Sequence, residues 1–338
     1  SLGFKIKDKT WPNTLKMTLP GRLKLQKFLY QAKKAGCRYV VLEATSEGIV
    51  QHRLAGIKID CAVYTNLHRE HLESHGSFDN YMIAKQKLFL KTRGIHVLNI
   101  DDPYFEKFAN FPAKQKITYG WNWGMITPLK ESVSNLNLQI IGDFNSHNAL
   151  AALSVANVYN LDLGKAVDSL NAIELIPGRM EVIDSAQGFK VVIDYAHTPD
   201  SLELVYKTLK PHAQKLICVL GAAGGGRDKW KRPEFGKIAA KYCDEVILTN
   251  EDPYDENPDE ILEQIALGFS LLATSNQQSA TSPRKILDRK EAIRAALTSA
   301  LAGDIVVITG KGSEISMAIA GGRKIPWSDK DIVKELLK

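Results

Sequence analysis

Short apolar runs alternate along this chain with amphipathic stretches of about ten to fifteen residues, and this alternation limits the possible folds more than any other feature. Such a pattern predicts βα units packed around mainly parallel sheets. The predicted strands are Tyr39–Leu42, Cys61–Tyr64, His96–Ile100, Lys190–Ile193, Leu216–Leu220, Glu245–Leu248 and Ile305–Ile308. Nearly every one runs into Gly, Asp, Asn or Glu, and the carboxyl ends of parallel strands border a ligand crevice. The sequence therefore predicts an α/β enzyme.

The composition is typical of a soluble globular protein with room for two domains. The chain has 338 residues, of which 44% are apolar and 24% charged. Its net charge of +6 is spread along the chain, which suits small anionic substrates and predicts no nucleic-acid partner. No apolar run reaches 18 residues and the start shows no signal-peptide pattern, so we expect a cytoplasmic protein without a membrane span.

The four cysteines are interpreted as buried thiols in a reducing cytoplasm. Cys37, Cys61, Cys218 and Cys243 lie far apart, each in or beside an apolar run. Their spacing indicates neither a CxxC metal site nor a disulfide framework.

A break in the pattern at Leu175–Gly178 places a predicted domain boundary near residue 177. The predicted domains are 1–177 and 178–338. Before that boundary, the alternating residues Leu136–Ile140 predict a small antiparallel addition, and a helix is expected from Asn145 to about Asn160.

Two polar segments in the first half could carry chemistry. Glu43, at the end of a predicted strand and followed by hydroxyls and glycine, suits a Mg²⁺ ion that faces a phosphate, although capping and turn roles are common for such residues. His71 and His75 are spaced for one helical face, but the HExxH order of zinc enzymes is missing and structural roles remain open. Lys85, taken alone, is interpreted as a solvated helix lysine.

The second half contains a glycine-rich loop, Gly221–Gly226, followed by Arg227. Backbone amides, a helix amino terminus and nearby cations can form an anion site, and a tight βα turn is the alternative. The loop matches neither GxxxxGK[ST] nor GxGxxG. Three more strand ends, Asp194–Pro199, Asn250–Tyr254 and Gly310–Glu314, add polar groups. Together they predict a crevice with both anion-binding and carboxylate groups.

Taken in order, these segments resemble the Mur ligases, most closely the UDP-N-acetylmuramoyl-tripeptide synthetase (MurE) type. The resemblance runs over the whole chain. The matching segments are Met17–Pro20, Glu43–Ser46, Val50–Arg53, Thr65–His71, Ala84–Lys85, Gly142–Asn148, Pro177–Glu181, Asp194–Asp200, Gly225–Lys229, Lys231–Pro233 and Gly310–Glu314.

The resemblance implies a Mur-ligase central ATPase domain with a mainly parallel sheet, followed by a Rossmann-like α/β carboxyl-terminal domain that binds an amino acid. It also implies ATP-dependent amide formation in peptidoglycan synthesis. A peptide carboxylate would attack the γ-phosphate of ATP, and an amine would then displace phosphate from the acyl phosphate. The implied cofactors are ATP and Mg²⁺, and the implied partners are a UDP-N-acetylmuramoyl peptide and a free amino acid. The enzyme would be monomeric.

The same resemblance implies roles for individual residues. The catalytic residues would be Lys85, His71, Glu43 and His197. The metal would be held by Glu43, His71 and a carbamoylated Lys85. The UDP-muramoyl substrate would be bound by Thr18, Ser46, Gln51 and Arg53. ATP would be bound by Asn145, Asn148, Arg179 and Asp194. The incoming amino acid would be bound by Arg227, Asp252 and Glu314.

Two departures from the family pattern affect the expected activity. No GTxGKT[ST] loop occurs, and Ser1–Phe4 resembles the stretch just downstream of that loop, so we expect a truncated piece with little ATP-driven activity by itself. Tyr254 stands at the arginine position of the DNPR motif of diaminopimelate-adding enzymes, so lysine or another diamino acid is equally open. The alternatives are a folylpolyglutamate or cyanophycin synthetase, or a non-catalytic remnant that binds nucleotide or precursor.

Overall fold

The computed structural model describes residues 3–13, 18–273 and 282–338, with the side chain of Ala273 excepted. The chain divides into two compact units. Unit 1 comprises residues 1–138 and 143–172, and unit 2 comprises residues 139–142 and 173–338. Within the described ranges, no helix is both long enough and apolar enough to cross a membrane.

Unit 1 contains a hairpin and a parallel sheet. Its strands are β1 (Gly3–Ile6), β2 (Lys9–Pro12), β3 (Cys61–Tyr64), β4 (Ile95–Asn99) and β5 (Gln115–Tyr119). β1 and β2 pair antiparallel, and β3, β4 and β5 form a three-stranded parallel sheet in that order. Its helices are α1 (Arg22–Lys34), α2 (Ser46–Val50), α3 (Leu72–His75), α4 (Phe78–Lys91), α5 (Phe105–Ala109), α6 (Asp143–Val158) and α7 (Leu163–Asn171), with a 3₁₀ turn at Glu131–Val133.

Helices cover both faces of this sheet, as a parallel sheet requires. Consecutive β4 side chains point to opposite faces, so Val97 packs in one apolar cluster and Leu98 in another. The cluster with Val97 includes Leu150 and Leu153 of α6, whereas the cluster with Leu98 includes Phe89 of α4. The β4 strand therefore anchors the helices that carry Lys85 and Asn145.

Two strand predictions in unit 1 are wrong. Residues 39–42 and 136–140 contain no strand, and Val41 is 91% exposed. Both runs contain strand-forming residues, but a strand also needs a neighbouring strand to bond its backbone N–H and C=O groups. The sheet contains β3, β4 and β5 alone, so neither run has a ladder partner in it. The helix predicted from Asn145 is confirmed and begins two residues earlier, at Asp143.

Unit 2 is built on a six-stranded sheet. Its strands are β6 (Glu181–Asp184), β7 (Lys190–Ile193), β8 (Leu216–Leu220), β9 (Glu245–Leu248), β10 (Arg284–Lys285) and β11 (Ile305–Ile308), with a separate hairpin of β12 (Ser316–Ile319) and β13 (Arg323–Pro326). The sheet order is β10-β9-β8-β11-β7-β6, and β6 is antiparallel to β7. Its helices are α8 (Pro199–Leu209), α9 (Lys231–Tyr242), α10 (Pro258–Ala273), α11 (Arg289–Ser299) and α12 (Asp329–Leu336), with a 3₁₀ turn at Lys210–His212.

The last long strand, β11, inserts between β7 and β8 and pairs parallel with both. This creates a switch in strand order, outside whose carboxyl ends α/β proteins place their ligands. All residues of β8 and β11 are buried, which explains their continuous apolar sequence. The predicted α/β class is confirmed, and the four long strands predicted in this half coincide with β7, β8, β9 and β11.

The prediction of four free thiols is wrong for two of them. Cys218 of β8 and Cys243, which follows α9, form a disulfide, whereas Cys37 and Cys61 are free. The two paired residues are 25 positions apart in sequence, so no short motif announces them. Because β8 pairs with β9, the Cα atoms of Cys218 and Cys243 lie 6.1 Å apart, which is within the range that a disulfide spans.

Candidate active-site groups

Lys85 lies in an acidic environment on α4. Its ammonium interacts electrostatically with the carboxylates of Glu70 and Glu43, and it lies 5.2 Å from the centre of the Tyr81 ring. Burial lowers the pKa of Lys85, and the two carboxylates oppose that effect. The interpretation of Lys85 as a solvated helix lysine is therefore wrong, because α4 turns this side chain inward toward acids supplied by two other segments.

His71 occupies the start of α3, close to two acids. Its ring nitrogens lie 3.6 Å from Glu70 Oε2 and 3.9 Å from Glu47 Oε1. The backbone of His71 is left-handed, with φ at 57°, which ends the preceding loop and begins the short helix. Glu47 and Glu70 were not predicted, although both lie within the polar segments singled out by sequence.

Within the described ranges, no three side chains among His, Cys, Asp and Glu are grouped so that they could hold a metal ion. Glu43 and His71 are two donors of those types, and Glu43 brings the carboxylate oxygens that Mg²⁺ prefers. Lys85 can join them only after conversion of its amine to a carbamate, whose oxygens resemble a carboxylate. The donor set fits a hard cation on that condition, and the metal assignment stays a prediction.

His75 belongs to a structural contact. Its Nε2 lies 3.1 Å from the hydroxyl of Ser46, which is buried in the first turn of α2. Thr45 caps the same helix by accepting a hydrogen bond from Gly48 N at 3.1 Å. The hydroxyls after Glu43 therefore serve helix capping and packing in this structure.

Gln51 and Arg53 form one unit after α2. The Nε and Nη2 atoms of Arg53 donate to Gln51 Oε1 at 2.9 and 2.5 Å, and its Nη1 donates to the carbonyl of Leu19 at 2.5 Å. The last contact ties Arg53 to the residue next to Thr18. The structure thus brings Gln51 and Arg53 together, ties Arg53 to the residue after Thr18, and places Ser46 at the other end of α2.

Asn145 and Asn148 share the first turns of α6. Asn145 is buried, and its Oδ1 accepts a long hydrogen bond of 3.4 Å from Asn148 Nδ2. Between them His147 stacks on Trp121 and lies 3.0 Å from Asp101 Oδ2. The contacts of His147 with Trp121 and Asp101 were not predicted, because the three residues belong to segments that are far apart in sequence.

Asp194 secures the turn after β7 in unit 2. Its two oxygens accept hydrogen bonds from Met180 N and Ala196 N, each at 2.7 Å. Burial nevertheless raises the pKa of Asp194, against the opposing effect of these bonds and of the nearby Arg179. The guanidinium of Arg179 lies 4.6 Å from the centre of the Tyr195 ring. This turn therefore joins two of the residues predicted for ATP.

Lys311 is a buried cation among the candidate amino-acid-binding residues, and the sequence did not predict it. Its ammonium is fully buried and donates to Asp252 Oδ1 at 3.0 Å and to Glu314 Oε2. Asp252 Oδ1 also accepts from Ala318 N at 2.6 Å, and Glu314 Oε1 accepts from the Tyr195 hydroxyl at 3.3 Å. The two predicted amino-acid-binding carboxylates are thus held by one cation. The signal was present in the Gly310–Glu314 motif, but its lysine was left without a role.

His197 contacts Tyr195, and its Nδ1 lies 2.9 Å from the Tyr195 carbonyl oxygen. The carbonyl of His197 accepts from the buried Lys231 at 3.0 Å. Glu251 is buried in the same region, and burial raises its pKa against the pull of Arg289 and Lys311. Several charges therefore meet at the carboxyl ends of β7, β9 and β11.

The glycine loop packs against the segment after β9. Gly224 N donates to the carbonyl of Asp252 at 2.8 Å. Gly225 has φ at 65°, and a Cβ there would collide with the ring of Tyr254, whose own φ is 52°. Close packing and a positive φ thus explain why glycine stands at position 225, in agreement with the interpretation of this loop as a tight turn. Arg227 is exposed beyond this loop.

Two families match this chain. The family described as "Mur ligase middle domain" matches residues 1–156, and "Mur ligase, glutamate ligase domain" matches residues 178–312. A UDP-N-acetylmuramoyl-L-alanyl-D-glutamate–2,6-diaminopimelate ligase of Caldanaerobacter subterraneus is 36% identical, over 98% of this chain and 70% of the relative. A UDP-N-acetylmuramyl-tripeptide synthetase of Roseiflexus sp. is 35% identical, over 97% of this chain and 70% of the relative.

Solved structures show the same architecture. A diaminopimelate ligase structure has a TM-score of 0.57 and 34% identity, covering 97% of this chain and 70% of that chain. The MurF ligase of Thermotoga maritima in complex with ADP has a TM-score of 0.61 at 15% identity, covering 91% of this chain and 70% of that chain, and this likeness concerns the fold alone.

Proposed function

Because the chain belongs to the Mur ligase family, we propose that it is an ATP-dependent ligase that adds an amino acid to a UDP-N-acetylmuramoyl peptide in peptidoglycan synthesis. The observation that carries the proposal is the acidic environment of Lys85 on α4, next to His71. It supports a phosphoryl-transfer site at the residues that resemble the family pattern. The enzyme acts as a monomer in the cytoplasm, where ATP and UDP-linked precursors are present.

The proposed reaction has two steps. The terminal carboxylate of the UDP-linked peptide attacks the γ-phosphorus of ATP, and ADP leaves with the electrons of the broken P–O bond. The amine of the incoming amino acid then attacks the acyl carbon, phosphate leaves, and the nitrogen loses a proton. Both steps bring anions together, so positioned cations and exclusion of water account for most of the catalysis.

Lys85 has the properties that carbamate formation needs. Only a neutral amine attacks CO₂, and burial lowers the pKa of Lys85 and so increases its neutral fraction. The product is an anion that would join Glu43 and His71 in holding Mg²⁺. The bound ion would offset the negative charge of the ATP phosphates.

Binding of the muramoyl substrate is assigned to Thr18, Ser46, Gln51 and Arg53. Arg53 Nε and Nη2 both donate to Gln51 Oε1, so the guanidinium has a fixed orientation before a phosphate or a carboxylate of the substrate arrives. Nucleotide contacts are assigned to Asn145, Asn148, Arg179, Asp194 and His197.

Recognition of the amino acid is assigned to Arg227, Asp252 and Glu314. The Lys311 ammonium donates to both carboxylates and so fixes them side by side, where their remaining oxygens can bind an ammonium group. Tyr254 supplies no guanidinium at the position where a diaminopimelate-adding enzyme would clamp a distal carboxylate. We therefore propose that meso-diaminopimelate is not strongly preferred over lysine.

The role of Lys85 is tested by Lys85→Ala in the protein expressed from its complete gene. Release of phosphate that depends on UDP-N-acetylmuramoyl-dipeptide and amino acid should fall by at least about a hundredfold, as for removal of a charge-stabilising group. Short carboxylates such as acetate should restore part of the rate. Lys87→Ala, an exposed lysine on the same helix, is the matched control and should leave the rate unchanged. Wild-type turnover by Lys85→Ala would remove this residue from the mechanism.

The amino-acid preference is tested by phosphate release with each candidate amino acid in turn. The kcat/KM values for lysine and meso-diaminopimelate should lie within about tenfold, a difference of 1.4 kcal/mol or less. A preference of a thousandfold for diaminopimelate would contradict the argument from Tyr254.

A further inference from the structure

Unit 1 contains a cavity of about 310 Å³ at the opposite ends of the strands from the polar segment with His71. Asp60, Gly94 and Lys114 line it, and each of them directly precedes a strand of the parallel sheet. The cavity therefore lies at the amino ends of β3, β4 and β5. The polar segment with His71 follows the carboxyl end of β3, so the two regions occupy opposite edges of one sheet.

The cavity combines an apolar interior with a cationic rim. Its apolar lining residues are Ile49, Leu54, Ala55, Ile57, Ile59 and Leu88. Its charged lining residues are Lys58, Lys91, Arg93, Lys114 and Asp60. Four cations and one carboxylate thus line the cavity, and Lys58 Nζ lies 3.9 Å from Asp60 Oδ1, which leaves the three exposed cations Lys91, Arg93 and Lys114 in excess. Apolar walls with a few converging polar groups are the usual composition of a small-molecule site.

Backbone pairing holds the shape of this cavity. Ile95 N donates to the carbonyl of Asp60 at 2.9 Å, and Lys114 N donates to the carbonyl of Arg93 at 3.1 Å. Gly94 packs so closely on Asp60 that a Cβ would collide with its carbonyl oxygen. The loop before β3 is therefore joined to the starts of β4 and β5. A cavity whose walls are bonded in this way needs little ordering to accept a ligand.

We propose that this cavity binds a small anion with an apolar body, of the size of one or two fused rings bearing a carboxylate, sulfonate or phosphate. The apolar body would be buried among Leu54, Ile57 and Leu88, and the anionic group would pair with Arg93 and Lys114 at the rim. Removing the apolar body from water supplies affinity, and the rim cations supply selectivity for negative charge.

The same two helices line the cavity and carry candidate active-site residues. Ile49 is on α2 with Ser46, and Leu88 and Lys91 are on α4 with Lys85. Bound anion and muramoyl substrate could therefore occupy unit 1 together. The proposal does not depend on the ligase assignment, because it rests on the cavity and its charges alone.

The test uses two fluorescent probes with the same apolar body, 8-anilinonaphthalene-1-sulfonate and the neutral N-phenyl-1-naphthylamine. The sulfonate should bind the protein at one site, at least about tenfold more tightly than the neutral probe. The double variant R93A/K114A should weaken sulfonate binding at least tenfold and leave the neutral probe unaffected. K24A/K27A, which removes two exposed lysines from α1, is the matched control and should bind like the wild type.

A second variant separates loss of the site from loss of the fold. Ala55→Trp adds bulk inside the cavity without changing charge and should abolish binding of both probes, while circular dichroism stays that of the wild type. Equal weakening of sulfonate binding by R93A/K114A and K24A/K27A would overturn the proposal. So would unchanged binding of both probes to Ala55→Trp.

Discussion

The buried ion pair between Arg289 and Asp329 is expected to be costly to break from one side. Arg289 Nε and Nη2 donate to the two oxygens of Asp329 at 2.9 and 2.8 Å, and both side chains are fully buried. Arg289 also donates to the carbonyls of Asn250 and Thr309, at 3.1 and 2.9 Å. These carbonyls follow the ends of β9 and β11, one residue before Glu251 and two residues before Lys311. The guanidinium thus ties two strand ends of the candidate site to α12.

Asp329→Ala leaves this buried guanidinium without the carboxylate that it bonds directly. Breaking a buried pair from one side costs about 3–5 kcal/mol, because the remaining charge keeps its desolvation penalty. The neighbouring pair Lys290–Glu335 joins the same two helices at 2.7 Å but is exposed. Glu335→Ala should therefore cost less than about 1 kcal/mol. The two variants remove one carboxylate each from α12 and differ mainly in burial.

Hydrogen exchange followed by mass spectrometry distinguishes these costs within unit 2. Amides of β7, β8 and β11 should exchange about two to three and a half orders of magnitude faster in Asp329→Ala, which corresponds to 3–5 kcal/mol. In Glu335→Ala the acceleration should stay below about fivefold. Equal protection of the β11 amides in the two variants would refute the reasoning from burial. Asp329→Asn, which keeps the shape but not the charge, should fall between them.

Two further changes test the site and the core. Lys311→Met leaves Asp252 and Glu314 without their shared cation, so the two carboxylates should lose their fixed positions and the KM for the incoming amino acid should rise at least about tenfold; an unchanged KM would contradict it. Burial lowers the pKa of His96, so below about pH 6.5 the unfolded chain gains a proton that the folded chain excludes. The free energy of opening at β4 amides, obtained from exchange rates corrected for intrinsic rates, should fall between pH 7 and pH 5 by up to about 1.4 kcal/mol for each pH unit. The substitution His96→Leu should make this free energy less dependent on pH.

Local patterns were sufficient for most of the architecture. The strands β7, β8, β9 and β11 are continuous apolar runs because both faces of a parallel sheet are covered, and that signal needs no knowledge of distant residues. The polar residues after them follow from the same rule, since only the ends of such strands reach solvent. The polar segment after β3, which includes His71, is recognisable on the same ground, whereas Glu43 and Lys85 are indicated by the resemblance to the family motifs.

Pairing between distant residues was decided by the tertiary structure alone. The run at 39–42 has strand-forming residues but no ladder partner, and Cys218 reaches Cys243 only because β8 pairs with β9. Lys311 appeared to be one polar residue of a turn, yet the fold buries it between Asp252 and Glu314.

The sequence by itself determined the order of βα units and the family, and it predicted which segments carry chemistry, because periodicity and short motifs are properties of neighbouring residues. Only the tertiary structure decided which charges lose their water and which partner each then meets. Desolvation depends on every element packed around a group, and no local pattern records that. The lowered pKa of Lys85 and the buried Arg289–Asp329 pair are consequences of this packing.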